Sequence, residues 1–225
     1  MPTDPVNDVS KVLAAVAGSS HRLDVRTLRL FVEELFMWNP DIGLVSKRET
    51  PSVVTRLIER SIHLWDFVCE ALAGEHAPVT RRRIVDIGTG AGFPGLVWKM
   101  LTPELDLVLV ERKERKVAFV ERVIARAGLA GVTAVSADLR EFALYESHEH
   151  AFDLAVMMAV ANPEDVAAPI ERLLRVPGYF CAVRGRDQEM PDERLGRSLQ
   201  EMTRCVTHEG RFVLYKNTGE HTEPA

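Results

Sequence analysis

Asp86-Ile87-Gly88-Thr89-Gly90-Ala91-Gly92-Phe93-Pro94-Gly95 is the stretch on which the fold turns. Ahead of it, residues 84–87 read as a short apolar strand, and behind it residues 95–102 read as a helix. The glycines therefore fall where a strand hands over to a helix. A backbone that a ligand approaches closely has no room for a Cβ, and a tight turn needs dihedrals that glycine adopts freely. Pro94 suits the first turn of the helix, where its missing N–H costs nothing. A glycine turn without a ligand is the plainer reading, and the position favours a ligand site.

Working outward, short apolar runs at 84–87, 105–110, 132–136, 152–160 and 179–183 read as strands. They alternate with helical stretches at about 95–102, 113–127, 139–146, 163–175 and 191–201. That alternation predicts an α/β domain with a doubly wound, mostly parallel, Rossmann-like sheet. Two β-prone runs, 203–208 and 211–216, are joined by Glu209-Gly210, too closely for a crossover helix, and predict an antiparallel C-terminal hairpin at a sheet edge. Upstream, Val25, Leu28, Phe31, Val32, Leu35 and Phe36 share one helical face, and that helix is expected to stop at Asn39-Pro40. A second helix follows Pro51 and runs past Leu72 to Gly74, and Val9, Val12, Leu13 and Val16 suggest a short leading helix in a loose or docked arm. The expected organisation is an N-terminal helical cap, residues 1–80, and a ligand-binding domain, residues 81–225, joined across 74–80.

The 225 residues, 46% hydrophobic and 27% charged, are those of a globular protein rather than of a disordered or disulfide-stapled chain. A net charge of −5 supplies no global field for nucleic acid or anionic lipid, so contact with either needs local basic patches. Cys69, Cys181 and Cys205 are widely spaced and odd in number, which reads as buried thiols in a reducing cytoplasm. The longest apolar run is far short of the ~20 residues that span a bilayer, and the acidic, proline-broken N-terminus is unlike a signal peptide. The histidines have no metal-ligand spacing, and no metal is expected.

Two ligands compete for the glycine loop. Gly90-x-Gly92-x-x-Gly95 matches the dinucleotide fingerprint, with Glu111, 21 residues after Gly90, placed to grip a ribose. Asp86 favours S-adenosylmethionine (SAM), since an acid there can organise the loop and accept from an ammonium group, while it would repel a bare pyrophosphate. Asp138 reads equally as an acceptor for an adenine amino group and as the N-cap of the helix starting at Leu139. Glu111 has its own plain reading, as one charge of a solvated Glu111-Arg112-Lys113-Glu114-Arg115-Lys116 run. The closing hairpin decides for SAM by analogy of fold, being a habit of methyltransferases.

At this point the residues resemble a known family, the bacterial small-subunit rRNA methyltransferases that make 7-methylguanosine (RsmG/GidB). The resemblance runs from about Leu28 to Asn217 and rests on Trp38-Asn39, on the loop from Asp86 with its closing Pro94-Gly95, and on Glu111 followed by Lys113, Arg115-Lys116 and Phe119-Val120. It implies a SAM-binding core with an N-terminal cap, S-adenosylhomocysteine as product, and ribosomal RNA or the small-subunit particle as partner, with no membrane and a monomeric chain. By this resemblance and the loop reading, SAM contacts are expected from Asp86, Gly88, Thr89, Gly90, Gly92, Phe93, Pro94, Glu111, Arg112, Asp138, Leu139 and Met158. The chain departs from the family at Gly43-Leu44-Val45, at Leu57, Arg60 and Ser61, at Met158-Ala159 where an Arg-Ala pair is usual, and at Arg184-Gly185 in place of Lys-Gly. These departures leave open a related enzyme acting on another RNA or a small molecule, or a SAM- or RNA-binding paralogue without turnover.

Methyl transfer to guanine N7 uses the nitrogen lone pair directly, so alignment dominates and no catalytic base is named. RNA contacts are expected from Arg81, Arg82, Arg83, Lys113, Arg115, Lys116, Arg184 and Arg186, in the linker or at strand ends on the ligand side. Asn162-Pro163-Glu164-Asp165 reads as a helix start with Asn162 as N-cap, rather than as a methyltransferase Asn-Pro box. Trp38 and Trp65 lie on apolar helical faces and read as core.

Overall fold

Neighbouring side chains of the segment Asp106–Glu111 enter two different cores, Leu107 and Leu109 one, Val108 and Val110 the other. A strand buried on both faces must be apolar throughout, which is why it shows no polar alternation. The computed structural model describes residues 5–17, 23–46, 50–75, 78–158, 161–185, 187–189, 191–208 and 210–219. Helices α1 (Pro5–Val16), α2 (Val25–Ile42) and α3 (Thr50–Ala71) lead into β1 (Arg83–Ile87), α4 (Gly95–Leu101), β2 (Asp106–Glu111), α5 (Glu114–Ala127), β3 (Val132–Ser136) and α6 (Leu139–Leu144). Then come β4 (Phe152–Met158), α7 (Pro163–Leu173), β5 (Leu174–Arg184), β6 (Arg194–Leu195), β7 (Leu199–Val206) and β8 (Arg211–Asn217).

The strands form one sheet in the order β3-β2-β1-β4-β5-β8-β7-β6. The first five are parallel and the last three antiparallel, as the closing hairpin predicts. Chain order reverses between β1 and β4, the place where doubly wound sheets open a crevice at the carboxyl ends of their strands. The buried residues of α1–α5 share one cluster with one face of the sheet, and those of α6 and α7 cover the other.

The cap is fastened to the sheet by polar as well as apolar contacts. The Trp98 indole N–H of α4 donates to the Ser61 carbonyl of α3 at 2.8 Å, and the Trp65 and Trp98 rings lie 5.0 Å apart. Glu34 of α2 is fully buried, and its carboxylate accepts from Arg122 at 2.6 Å and from Arg126, both on α5. Burial alone would raise its pKa, but the two guanidiniums hold it below the ordinary 4.5. Trp38 packs on Phe119 with Arg122 above its ring.

Three expectations need correction. Helix α2 does not stop at Asn39-Pro40: it runs to Ile42, where Gly43, at φ +62°, turns the chain and donates to the Asn39 carbonyl. Pro40 sits in the last turn, and the buried Asn39 side chain accepts from the Val45 amide at 2.9 Å. Residues 191–201 form no helix. Pro191, Leu195 and Leu199 are buried at a spacing that mimics one, yet Gly196 at φ +59° bends the chain back and pairs β6 with β7. Glu171 of α7 fixes that bend, accepting from the Arg197 amide at 2.6 Å and from the Ser198 amide and hydroxyl. Finally, β5 begins at Leu174 rather than at 179, directly after α7. The expected end of β4 at Val160, and Glu209 of the closing turn, lie outside the described residues.

Candidate active site

A cleft of about 580 Å³ opens where β1, β2 and β4 end, lined among others by Gly88, Gly90, Glu111, Asp138, Leu139 and Met158. Its floor is made by the glycine loop, and three hydrogen-bond systems fix the loop's shape. The Gly88 and Thr89 amides donate to the Val110 carbonyl at 2.8 and 3.1 Å, tying the loop to the end of β2. Asp86 Oδ2 accepts from the Thr89 hydroxyl at 2.7 Å and the Gly95 amide at 3.0 Å, closing the loop on itself. Glu111 Oε2 accepts from the Gly90 amide at 3.2 Å, and its Oε1 from the Lys113 amide at 2.9 Å.

The glycines have different reasons. Gly90 is at φ +59°, and a Cβ there would make only ordinary contacts, with the Gly88 carbonyl at 3.8 Å and Lys116 Nζ at 3.9 Å. That is what a ligand lying on the backbone requires. At Gly95 a Cβ would meet Leu109 at 2.3 Å and Asp86 at 2.8 Å, so this glycine exists to let α4 approach the sheet.

Asp86 is fully buried, and its Oδ1 has no hydrogen-bond partner among the described residues. Burial pushes its carboxyl up to about 7, opposed by the Thr89 and Gly95 hydrogen bonds and assisted by the charge on Glu111. It organises the loop from beneath and does not line the cleft. Thr89, Gly92, Phe93 and Pro94 are likewise buried and turned from the cleft, Phe93 packing edge-on against Phe31 of α2. Gly88, Gly90, Glu111, Arg112, Asp138, Leu139 and Met158 do reach the cleft wall. Glu111 is only 8% exposed, which removes the reading of a solvated surface charge. Asp138 combines its two readings: it caps α6, accepting from the Arg140 amide at 2.9 Å, and it lines the cleft.

The basic residues divide. Lys113 and Lys116 line the cleft, Arg115 is exposed beside them, and Arg184 ends β5 on the same side. Arg81 and Arg82 precede β1 and Arg83 opens it, so in a parallel sheet all three sit at the opposite edge from the cleft, which corrects their expected place on the ligand side. Arg82 is buried over the Tyr179 ring, and Arg83 lies over Phe152 and 3.6 Å from Asp106. Arg186 lies outside the described residues. Trp65 is buried and Trp38 half-buried, as their helical faces predict.

Arg140 and Asp165, which no motif marks as site residues, meet across the cleft wall through an Nη2-to-carbonyl contact of 3.5 Å. Asn162, expected as a side-chain cap, does precede α7, but its Oδ1 accepts from Arg184 Nη1 at 2.9 Å and caps nothing. Among the described residues no cluster of His, Cys, Asp and Glu suits a metal.

The volume, the open backbone at Gly90 and the spare lone pairs on Glu111 fit a ligand carrying a ribose and an adenine. Glu111 would hold the ribose hydroxyls, Asp138 and Leu139 would face the base, and the open backbone at Gly90 would lie against the rest of the ligand.

Comparison with known proteins agrees with this geometry. A family model described as rRNA small subunit methyltransferase G (GidB) matches residues 24–203. A protein named ribosomal RNA small subunit methyltransferase G from Roseiflexus castenholzii is 35% identical over 167 residues, covering 73% of this chain and 68% of that protein. Its namesake from Moorella thermoacetica is 33% identical over 123 residues, 55% of this chain and 50% of its own length. Thus the match spans between half and about two thirds of these relatives. Among solved structures, a mutant of MtNAS in complex with S-adenosylmethionine superposes with a TM-score of 0.57 at 16% identity, covering 95% of this chain and 96% of its own. A methyltransferase from Geobacter sulfurreducens gives 0.55 at 15% identity, covering 92% and 97%. At such identities the likeness is one of fold.

Proposed function

The chain belongs to the rRNA small subunit methyltransferase G family, and on that premise we propose that it methylates N7 of a guanine in small-subunit ribosomal RNA with SAM as methyl donor. The observation that carries the reading is Glu111, a nearly buried acid at the end of β2 that holds the glycine-loop amide of Gly90 and faces the cleft. SAM supplies a methyl group on a sulfonium, ready for in-line displacement.

The chain's own part is alignment. Asp86 and Glu111 freeze the loop from below and from the side, so that Gly90 presents its backbone without further ordering. Guanine N7 carries no proton, and no side chain has to remove one. Met157 and Met158 give the β4 side of the cleft an apolar wall that excludes water from the point of transfer. Lys113, Arg115, Lys116 and Arg184 surround the mouth with positive charge suited to RNA phosphates. Residues 1–80 act as a cap on the 81–225 methyltransferase unit, and the protein works as a monomer in the cytoplasm.

Calorimetric titration with SAM and with NAD, followed by incubation with deproteinised small-subunit rRNA and labelled SAM, tests this. SAM binding with label in one guanine is the expected result. Binding of NAD alone overturns the cofactor, and SAM binding without transfer to RNA or to the assembled particle overturns the acceptor.

A further inference from the structure

Arg184, the last residue of β5, pairs in register with Arg211, the first of β8. Both project to the face covered by α7, because Ala182 and Phe180 of β5 and Val213 and Tyr215 of β8, two and four residues along, are buried in the cluster on that face. Side chains opposed in this way have Cβ atoms ~4.5–5.5 Å apart, and like charges there repel. Among the described residues no carboxylate makes an ion pair with either arginine.

Instead, Arg184 is oriented by neutral acceptors. Its Nη1 donates to Asn162 Oδ1 at 2.9 Å and its Nε to the Glu189 carbonyl at 3.4 Å. A guanidinium has five N–H donors, so three remain after these two contacts. The helix start does not need the Asn162 side chain, since the Asp165 amide already bonds to the Asn162 carbonyl at 3.1 Å. Asn162 follows Ala161, and its amide points to Asp165 Oδ2 at 3.4 Å; Ala161 and Asp165 both line the cleft. Two arginines, neither in an ion pair among the described residues and one of them oriented by Asn162, therefore stand at the rim where β4 and β5 end.

We propose that Arg184 and Arg211 together bind one backbone phosphate of the RNA acceptor, and that Asn162 is the positioning residue that aims Arg184 at it. The inference rests on the rRNA reading above and assigns the acceptor side of that site. An anion placed between the two guanidiniums turns their mutual repulsion into shared attraction, and Asn162 orients one of them without cancelling its charge.

Anisotropy of a labelled small-subunit rRNA fragment, measured across a salt series, is the primary test, with SAM calorimetry and methyl transfer alongside. Arg211→Gln should weaken RNA binding about tenfold and flatten the plot of log affinity against log salt by ~0.7–0.9. Its SAM affinity should be unchanged and its melting temperature no lower than that of the unmodified protein, since a repulsion has been removed. Arg211→Lys should keep the slope. Asn162→Ala should raise KM for RNA several-fold at constant kcat, and do nothing further in an Arg184→Gln background. An unchanged salt slope in Arg211→Gln, or equal losses of RNA and SAM affinity, overturns the phosphate subsite, as does an unmodified protein that binds no RNA. A protein that binds RNA with the expected slopes but methylates none defeats the proposed function and leaves the arginine pair standing.

Discussion

The two edges of the parallel sheet carry the same kinds of basic residue and use them in opposite ways. At the edge where β1 begins, Arg175 pairs with Asp153, Lys216 with Glu75 and Arg172 with Glu149, while Arg82 and Arg83 lie on aromatic rings. At the edge where β1 ends, Arg112, Lys113, Arg115, Lys116, Arg184 and Arg211 make no ion pair among the described residues. Counting charges would not separate these groups, since the whole chain is acidic. What separates them is strand direction: one edge closes the fold, and the other leaves its cations free for an anionic partner.

The contrast can be broken most forcefully at the loop. Gly90→Asp forces a side chain into the φ +59° position, over the ligand's path and near Glu111, and should weaken SAM binding by roughly a hundredfold or more, about 2.8 kcal/mol at 1.4 kcal/mol per tenfold; calorimetry showing normal affinity removes the loop from the site. Asp153→Ala, at the closed edge, leaves the Arg83 amide without its 2.7 Å acceptor and unpairs Arg175. A loss of ~1–3 kcal/mol in urea unfolding is expected, with the salt dependence of RNA binding unaltered. Lys113→Ala with Lys116→Ala, at the open edge, should show the reverse: unfolding within ~0.5 kcal/mol of the parent, and RNA affinity down about tenfold with a flatter salt plot. If both variants lose stability alike, the edges do not differ.

The last test follows a single proton. Among the described residues Asp86 pairs with no cation, and burial lifts its carboxyl to about 7 against an ordinary 3.8. A carboxyl raised on folding favours the folded state fully below pH 3.8, and that contribution is lost as pH rises to about 7. Urea midpoints should therefore drift down between pH 5 and about 7.5, and Asp86→Asn should flatten the drift.

These regions also differ in how readily the sequence discloses them. The glycine loop, the strand order around it and Glu111 are legible because each depends on neighbours within one βαβ unit. Arg81 to Arg83 lie at the opposite edge from the one their charge suggests, because a charge run says nothing of strand direction until β1 is placed. Residues 191–201 misread as a helix because the decisive contact, Glu171 on the Gly196 bend, comes from α7. Glu34 gives no local sign of burial, since its partners Arg122 and Arg126 lie 88 and 92 residues away. Asn162 obeys the rules of a helix cap and is diverted by Arg184 from the next strand.

That bend at Gly196 also bears on solubility. A sheet that ended on an eight-residue strand would present a long row of unpaired amides and carbonyls, an invitation to intermolecular strand addition. Here the two residues of β6 fold back over the start of β7, and the Glu201–Arg204 ion pair places charge along what remains. The little hairpin is a terminus for the sheet, one that shortens the edge left open to strand addition.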